Sequence, residues 1–324
     1  MKAIRLHEFG PAENLRYESV PDPVPGAGQV RITVAAAGIH LIDTKLRNGE
    51  PGPYPAPDLP TIPGREVAGV VDLVGPGVDA ELLGARVVTH LGAAPGGYAE
   101  LAVADAQRLH RIPDDLDPAV AVAMIGTGRT TLGILGFAEL APGQLAVVPA
   151  AAGGIGTLLV QYLRSAGVTV VGLAGGPSKV AAVAANGADL ALDYTDPGWP
   201  EAVRERYGER PARWVFDGVG GAAGRAAVDL LAPGGTHLIF GWSDAPIEFP
   251  EGHLADRRIT SRSVLGPQLL ERGGGIAALE TRALAEAASG RLRPAVHRFA
   301  LADAAAAHRA LENRATTGKV VLEP

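Results

Sequence analysis

The stretch Leu145–Gly172, LAVVPAAAGGIGTLLVQYLRSAGVTVVG, constrains the fold more than any other part of the chain. Leu145–Val148 is a short apolar run, the pattern of a strand buried on both faces of a parallel sheet. A turn of small residues follows, Ala150-Ala151-Ala152-Gly153-Gly154-Ile155-Gly156. Ile155, Leu158, Leu159, Tyr162, Leu163 and Ala166 then recur at helical spacing and form one apolar stripe. Gly167 ends the helix, and Val168–Val171 reads as the next buried strand. Strand, small-residue turn, helix and strand in this order make the βαβ unit of a nucleotide-binding sheet.

The small residues suit an anionic ligand. Gly153 lets the backbone come close to a pyrophosphate. Gly154 and Ile155 open a helix whose free N–H groups and partial positive charge face the anion, and Gly156 lets that helix pack tightly on the strand. The first glycine of the usual fingerprint is replaced by Ala151; the plainer reading is an ordinary strand-to-helix turn. An NAD site carries an acid about 20 residues further on, bonded to the ribose. Here the second strand ends Gly172-Leu173-Ala174-Gly175-Gly176, with no acid to repel a 2′-phosphate. Ser178 and Lys179 follow, in reach of a phosphate; on the plainer reading Ser178 caps a helix Lys179–Asn186 and Lys179 is a solvated charge. The sequence favours NADP over NAD.

At 324 residues the chain has room for two domains of ~100–200 residues. Its net charge of −6 disfavours a polyanionic partner, and no basic run or basic–aromatic alternation suggests nucleic acid. Cysteine is absent, which removes disulfides, cysteine–zinc clusters and thiol chemistry together and fits a reducing, cytoplasmic compartment. Met1-Lys2-Ala3-Ile4 begins a strand rather than a signal peptide, and no run approaches the ~20 uninterrupted apolar residues of a membrane span.

Residues 1 to about 120 read as β-rich. The strand candidates are Lys2–His7, Arg16–Val20, Gln29–Ala37, Glu66–Val74, Arg86–His90 and Tyr98–Val103, punctuated by Gly and Pro in the manner of a partly open barrel. Gly38–Asn48 reads as helical. Pro51–Pro63 is too rich in proline for regular structure and would make a stiff loop. Pro118–Glu139 reads as a helical link whose Gly126, Gly128 and Gly133 demand a close approach, either by packed helices or by a bound ring. Beyond the central motif, strands at Ala188–Leu192, Trp214–Asp217, Thr236–Phe240 and Ile259–Leu265 alternate with helices at Trp199–Tyr207 and Ala222–Leu231. That alternation gives a doubly wound parallel sheet, an α/β fold. Ligands in such sheets bind outside the carboxyl ends of the strands, which points to Asp217–Gly221, including Val219, and to Phe240–Ser243. A helix Gly275–Ala288, a strand Val296–Phe299, a helix Ala302–Asn313 and a strand Lys319–Leu322 close the chain. By pattern alone they fit either domain.

Taken as a set, AAGIHLIDTKLRNG, IPGREVAGVVDLVGPGV, AAAGGIGTLLVQ, LALDY, GGTHLIFG and ENRATTGKVVL span nearly the whole chain. With these motifs the chain resembles the medium-chain dehydrogenase/reductase superfamily, most closely its zinc-independent quinone oxidoreductase branch, of which zeta-crystallin is an example. The resemblance implies a GroES-like catalytic domain, residues 1–120 and 266–324, split around a Rossmann NADP-binding domain, 121–265. It implies NADP(H) as cofactor, with Lys179, Tyr194 and Arg314 contacting it, Thr130 near the nicotinamide amide, and Phe240 and Gly241 beside the nicotinamide. It also implies a homodimer built by edge pairing of cofactor-domain sheets, with Ile259–Leu265 as the candidate edge.

Zinc-dependent relatives place a ligand where Arg65 stands, and an arginine, always protonated, cannot ligate a cation. His40 occupies the cysteine ligand position, but one histidine does not make a zinc site. No metal is expected. The quinone branch usually has asparagine in place of His40 and tyrosine in place of Lys45. His40 is suited to donate a proton near neutral pH, and Tyr54 matches a pocket tyrosine. Asp43 belongs to the family's "ID" pair, and Lys45 is expected in solvent. The expectation is an NADPH-dependent reductase of a small quinone, enone or other activated compound, with His40 and Tyr54 as catalytic candidates. A metal-free ketone or aldehyde reductase, or an NADPH-binding protein of little activity, remain alternatives.

Overall fold

The computed structural model describes residues 1–52, 54 and 56–324. Pro53 and Pro55, within the proline-rich loop, lie outside the described residues. The chain forms two compact units, Met1–Gly128 with Glu280–Pro324, and Arg129–Leu279. The breaks fall after Gly128 and Leu279, later along the chain than the boundaries expected at 120 and 265. The helix Pro267–Arg272 therefore counts with the nucleotide-type unit.

The first unit is built on the long strand Gln29–Ile39. Its first half alternates, burying Val30, Ile32 and Val34 on one face and leaving Gln29, Arg31 and Thr33 outward, as a half-solvated strand should. Its second half, Ala36 to Ile39, is buried throughout, because the helix Pro118–Ala123 packs on it. In the seven-stranded sheet the order is Val296–Ala300, Lys319–Glu323, Gln29–Ile39, Glu66–Val74, Arg86–His90 and His110–Arg111, with Leu101–Asp105 also on Gln29–Ile39. Lys2–Leu6 and Leu15–Ser19 form a separate antiparallel ribbon. Ile4, Ile32, Val67, Val71, Val87 and Leu322 share one core.

Two sequence expectations change here. Gly38 and Ile39 are strand, not helix, because they pair with Val321 and Val320 from the far end of the chain; the helix is only Leu41–Arg47. The glycine-rich link is α-helical over Pro118–Ala123 and Arg129–Leu135, but π-helical over Met124–Gly128. The close approaches there are internal. A Cβ on Gly126 would lie 1.6 Å from Glu66 Oε1, and one on Gly133 would lie 2.4 Å from Leu269 Cδ2. No bound ring is needed to explain either glycine. The run Pro118–Leu135 is apolar and long enough to pass as a membrane span, but 78% of it is buried inside the protein, so it reads as a core helix.

The second unit is a six-stranded, all-parallel sheet in the order Leu190–Asp193, Thr169–Ala174, Leu145–Val148, Ala212–Asp217, Leu231–Ile239, Thr260–Ser263. This is the doubly wound order, with its reversal between Leu145–Val148 and Ala212–Asp217. Leu145–Val148 is buried at every position, as a central parallel strand requires. Thr260–Ser263 is the last strand on its side of the sheet.

Candidate active site and cofactor turn

In the first unit, four neighbouring strands bring charged residues together at one end of the sheet. Val320 pairs with Ile39, Val67 with Ala37 and Glu66 with His90. This register sets Lys319, His40, Glu66 and His90 side by side. Glu66 is wholly buried and Lys319 nearly so. Lys319 Nζ donates to Glu66 Oε2 at 2.8 Å and lies 2.7 Å from His40 Nε2. His40 Nε2 is also 2.6 Å from Glu66 Oε1. Two glycines make the space: a Cβ on Gly38 would stand 2.5 Å from Glu66 Oε2 and 3.0 Å from Lys319 Cε, and Gly126 backs Oε1. Burial alone would raise the Glu66 carboxyl, but the positive charges of His40 and Lys319 outweigh it and hold the group well below the ordinary carboxylate range.

His40 opens the helix Leu41–Arg47, and its backbone N–H donates to Asp43 Oδ2 at 2.8 Å, so Asp43 has a capping role. The buried Asp43 also accepts from the Tyr98 hydroxyl at 3.3 Å and lies 3.8 Å from Arg65 Nη1. The Arg65 guanidinium in turn sits 4.3 Å from the centre of the Tyr54 ring. Tyr54 is thus joined to His40 through Arg65 and Asp43. Behind Tyr98 lies His308, whose Nε2 is 3.3 Å from the Tyr98 hydroxyl and whose Nδ1 is 3.3 Å from Arg47 Nη1. Burial and then the Arg47 charge push His308 down to about 3. Burial and the adjacent Asp43 raise the Tyr98 phenol well above its usual value. Arg47 pairs with Glu312 at 2.6 Å. Arg314 itself lies in the first unit with a φ of 53°, in the turn after the helix Ala304–Glu312. Lys45 is half-buried rather than free in solvent.

In the second unit the helix runs Gly154–Ser165 with Gly153 as its N-cap. A Cβ on Gly156 would lie 2.3 Å from the Ala150 carbonyl oxygen and 2.7 Å from Ala151 Cα. Helix and strand are therefore as close as the fingerprint glycine implies. The left-handed residue of this turn is Ala150, with φ 52°; the strained position falls one residue before Ala151, where the first glycine was assigned. Ile155 stands in the first turn of the helix. The Gly153–Gly156 corner thus leaves the helix N-terminus open to an anion.

The adenosine-side candidates also converge. Gly176 caps the helix Pro177–Ala185, so Ser178 lies within the helix and is not its cap. A Cβ on Gly175 would be 3.2 Å from the Tyr194 hydroxyl, and Lys179 lies in the first turn. Sequence reasoning missed Asp193. It ends the third strand, accepts from Gly176 N–H at 3.0 Å and from Thr195, and these bonds lower its carboxyl. An acid does therefore border this loop, though it comes from a neighbouring strand. The turns Asp217–Gly221 and Phe240–Ser243 meet as well: Ser243 N–H donates to Gly218 O at 3.2 Å, and a Cβ on Gly218 would lie 2.5 Å from Phe240 Cε2. The Val219 amide is held by Asp217 Oδ1 at 2.8 Å. Gly241 has a φ of 155°. Thr130 lies in the first turn of Arg129–Leu135.

Residues 26–114 match the alcohol dehydrogenase GroES-like domain, and residues 154–278 match the family described as zinc-binding dehydrogenase. A quinone oxidoreductase of Pseudomonas aeruginosa is 32% identical, with 100% of this chain and 99% of that protein covered. A 2-haloacrylate reductase of a Burkholderia species is 30% identical, over 98% of each. Among solved structures, a mycobacterial protein complexed with NADPH is 34% identical with a TM-score of 0.85, and an NAD-dependent alcohol dehydrogenase is 28% identical with a TM-score of 0.88; each covers 100% of both chains. The chain belongs to the quinone oxidoreductase branch of the medium-chain dehydrogenase/reductase superfamily.

The zinc in the matched family's description can be tested on the residues present. His40 Nε2 faces the ammonium of Lys319 at 2.7 Å, and the second ligand position holds Arg65, a buried cation. Among the described residues no group of three or more His, Cys, Asp or Glu side chains is placed to hold a metal. A divalent cation here would sit against two fixed positive charges, so this donor set does not fit zinc.

Proposed function

We propose that the protein is a metal-free NADPH-dependent reductase of double bonds conjugated to a carbonyl, as in quinones, enones and enoyl compounds. The observation that carries this reading is the exchange of a Lewis-acid position for proton donors: Arg65 and His40 stand where zinc relatives have ligands, with Lys319 and Glu66 behind them. Support for the coenzyme comes from the corner at Gly153–Gly156, where a side chain on Gly156 would strike the backbone, and from the relative solved with NADPH. Gly153, Gly154, Ile155 and Gly156 would hold the pyrophosphate. Gly175, Gly176, Ser178, Lys179, Tyr194 and Arg314 would take the adenosine side, and Thr130, Val219, Phe240 and Gly241 the nicotinamide. Bound there, NADPH supplies a hydride.

The chain's own residues then have a defined task. Hydride addition leaves negative charge on the substrate oxygen, and fixed donors must meet it. His40 is one third exposed and takes that role, with Tyr54 orienting the acceptor. A second reading, reduction of simple aldehydes or ketones, is favoured by the likeness to the alcohol dehydrogenase. Consumption of NADPH and NADH with a panel of quinones, enones, 2-haloacrylate and aldehydes separates the two. Turnover of conjugated acceptors with NADPH is expected; turnover of aldehydes alone overturns the assignment. We also propose a homodimer through the Thr260–Ser263 edge, and a solution mass showing only monomer would remove that part.

A further inference from the structure

We propose that His237 is a positioning residue for the nicotinamide side of the coenzyme site, acting through Asp217 to set the turn Gly218–Gly221; this rests on the coenzyme reading above. The strand register builds the array. His237 pairs with Val215 on one side and with Ser261 on the other. Alternate residues of a strand share a face, so Asp217, two beyond Val215, stands on the face that carries His237 and Ser261. His237 Nδ1 lies 2.9 Å from Ser261 Oγ, and Nε2 lies 3.2 Å from Asp217 Oδ2. A carboxylate only accepts, so Nε2 carries a proton. His237 is wholly buried and Asp217 nearly so. The Phe249 ring packs edge-on to the imidazole, 6.3 Å between centres. Gly224 leaves room for the carboxylate, since a Cβ there would lie 2.5 Å from Oδ2.

A buried carboxylate is costly unless donors surround it. His237 supplies one to Oδ2, and the N–H groups of Val219 and Gly220 donate to Oδ1 at 2.8 and 3.0 Å. Both turn amides are thereby held back against the sheet. The turn is then tied to the loop that follows the next strand. Phe240 N–H donates to Asp217 O, Ser243 N–H to Gly218 O, Asp244 N–H to Val219 O, and Gly221 N–H to Ala245 O, all within 3.2 Å. Whatever fixes the Asp217 carboxylate therefore fixes Val219, Phe240 and Gly241 together, the residues assigned above to the nicotinamide. Histidine suits the task because one ring meets Asp217 on one neighbouring strand and Ser261 on the other. An apolar residue at 237 would fill the space but leave Oδ2 without this donor. His237 does not itself meet the coenzyme; its effect passes through Asp217.

Two ligands separate this role from a general defect. In calorimetric titration His237→Leu should weaken NADPH binding about tenfold. Affinity for 2′-phospho-ADP-ribose, which keeps the adenosine side and lacks the nicotinamide, should stay within about twofold. Equal weakening of both marks a general structural loss and overturns the proposal, as does unchanged binding of both. Amide exchange of the intact protein, without coenzyme, is the second measurement. Protection at Val219 and Gly220 should fall about tenfold or more in His237→Leu, while Val147 and Val171 keep theirs. Retained protection at the turn overturns the assignment. Should His237→Leu not fold, Asp217→Asn keeps the shape and offers a weaker, neutral acceptor. Both readouts should then move the same way by about threefold, and an unmoved Asp217→Asn overturns the proposal. If the wild type binds neither ligand, the coenzyme reading fails and this proposal falls with it; binding that the variants leave intact removes only the role of His237.

Discussion

The two units make their polar sites from opposite materials. The corner at Ala150–Gly156 is nearly all backbone and small residues, and its chemistry is the open end of the helix Gly154–Ser165. The site at His40 is all side chain. A carboxylate, an ammonium and an imidazole are held within 2.6–2.8 Å of one another at the end of a sheet. The first tolerates no side chain at Gly156; the second depends on each of its charged partners. Steric substitutions should therefore damage the one and charge deletions the other.

The largest effect should follow from stranding a charge. Lys319→Met leaves Glu66 buried without its ammonium, and is expected to cost about 3–5 kcal/mol in denaturant melts; the double variant with Glu66→Gln should recover much of this. If Lys319→Met melts as the wild type does, the charged site does not depend on its buried pair. Next is Gly156→Val, whose Cβ would lie 2.3 Å from a carbonyl oxygen. Loss of NADPH affinity by more than about 100-fold, roughly 3 kcal/mol, is expected in fluorescence titration, while the wild-type ion pairs in the other unit stay intact.

A pH experiment probes the network behind the charged site. Burial holds folded His308 near about 3, below its ordinary 6.5. The unfolded chain therefore takes up this proton first. The contribution is whole above pH 6.5 and is lost progressively as pH falls toward 3, by up to about 1.4 kcal/mol per unit. By pH 5 the wild type should have lost about 2 kcal/mol from this residue, and His308→Gln should show a flatter stability–pH curve; parallel curves would remove His308 as the cause. The smallest effect is sought in the cofactor unit. Lys179→Ala should weaken NADPH binding about tenfold and NADH binding little, a difference of about 1.4 kcal/mol. Equal losses for both coenzymes would deny the lysine a role at the 2′-phosphate.

The same contrast governs what could be read from the chain. The cofactor corner is local: strand, turn and helix follow one another within a few residues, and periodicity exposes them. The helix Trp199–Tyr207 was legible to the residue for this reason. Even there, the sequence did not show that the turn takes its left-handed residue at Ala150, one before the Ala151 that replaces the first fingerprint glycine. The charged site is not local. Lys319 and Glu66 stand 253 residues apart, and nothing in the spacing of either predicts the other. The signal lay in the fragments GREV and GKVV, each with a charge beside apolar strand residues. Gly38 and Ile39 were misread as helix because their strand partners arrive from the last few residues of the chain. Asp193 was missed because the search for an acid followed the second strand, while the third delivers it to the same loop.

The strand Lys319–Glu323 lies inside its sheet, between Val296–Ala300 and Gln29–Ile39. A ribosome makes this strand after every other strand of its sheet. The nucleotide-type unit, contiguous from Arg129 to Leu279, is free to assemble earlier in synthesis, but the sheet that carries His40 must wait for residues 319–323 before its interior row is filled. A stop after Gly318 would thus spare the cofactor unit and leave the first with a gap in the middle of its sheet and Glu66 without its ammonium.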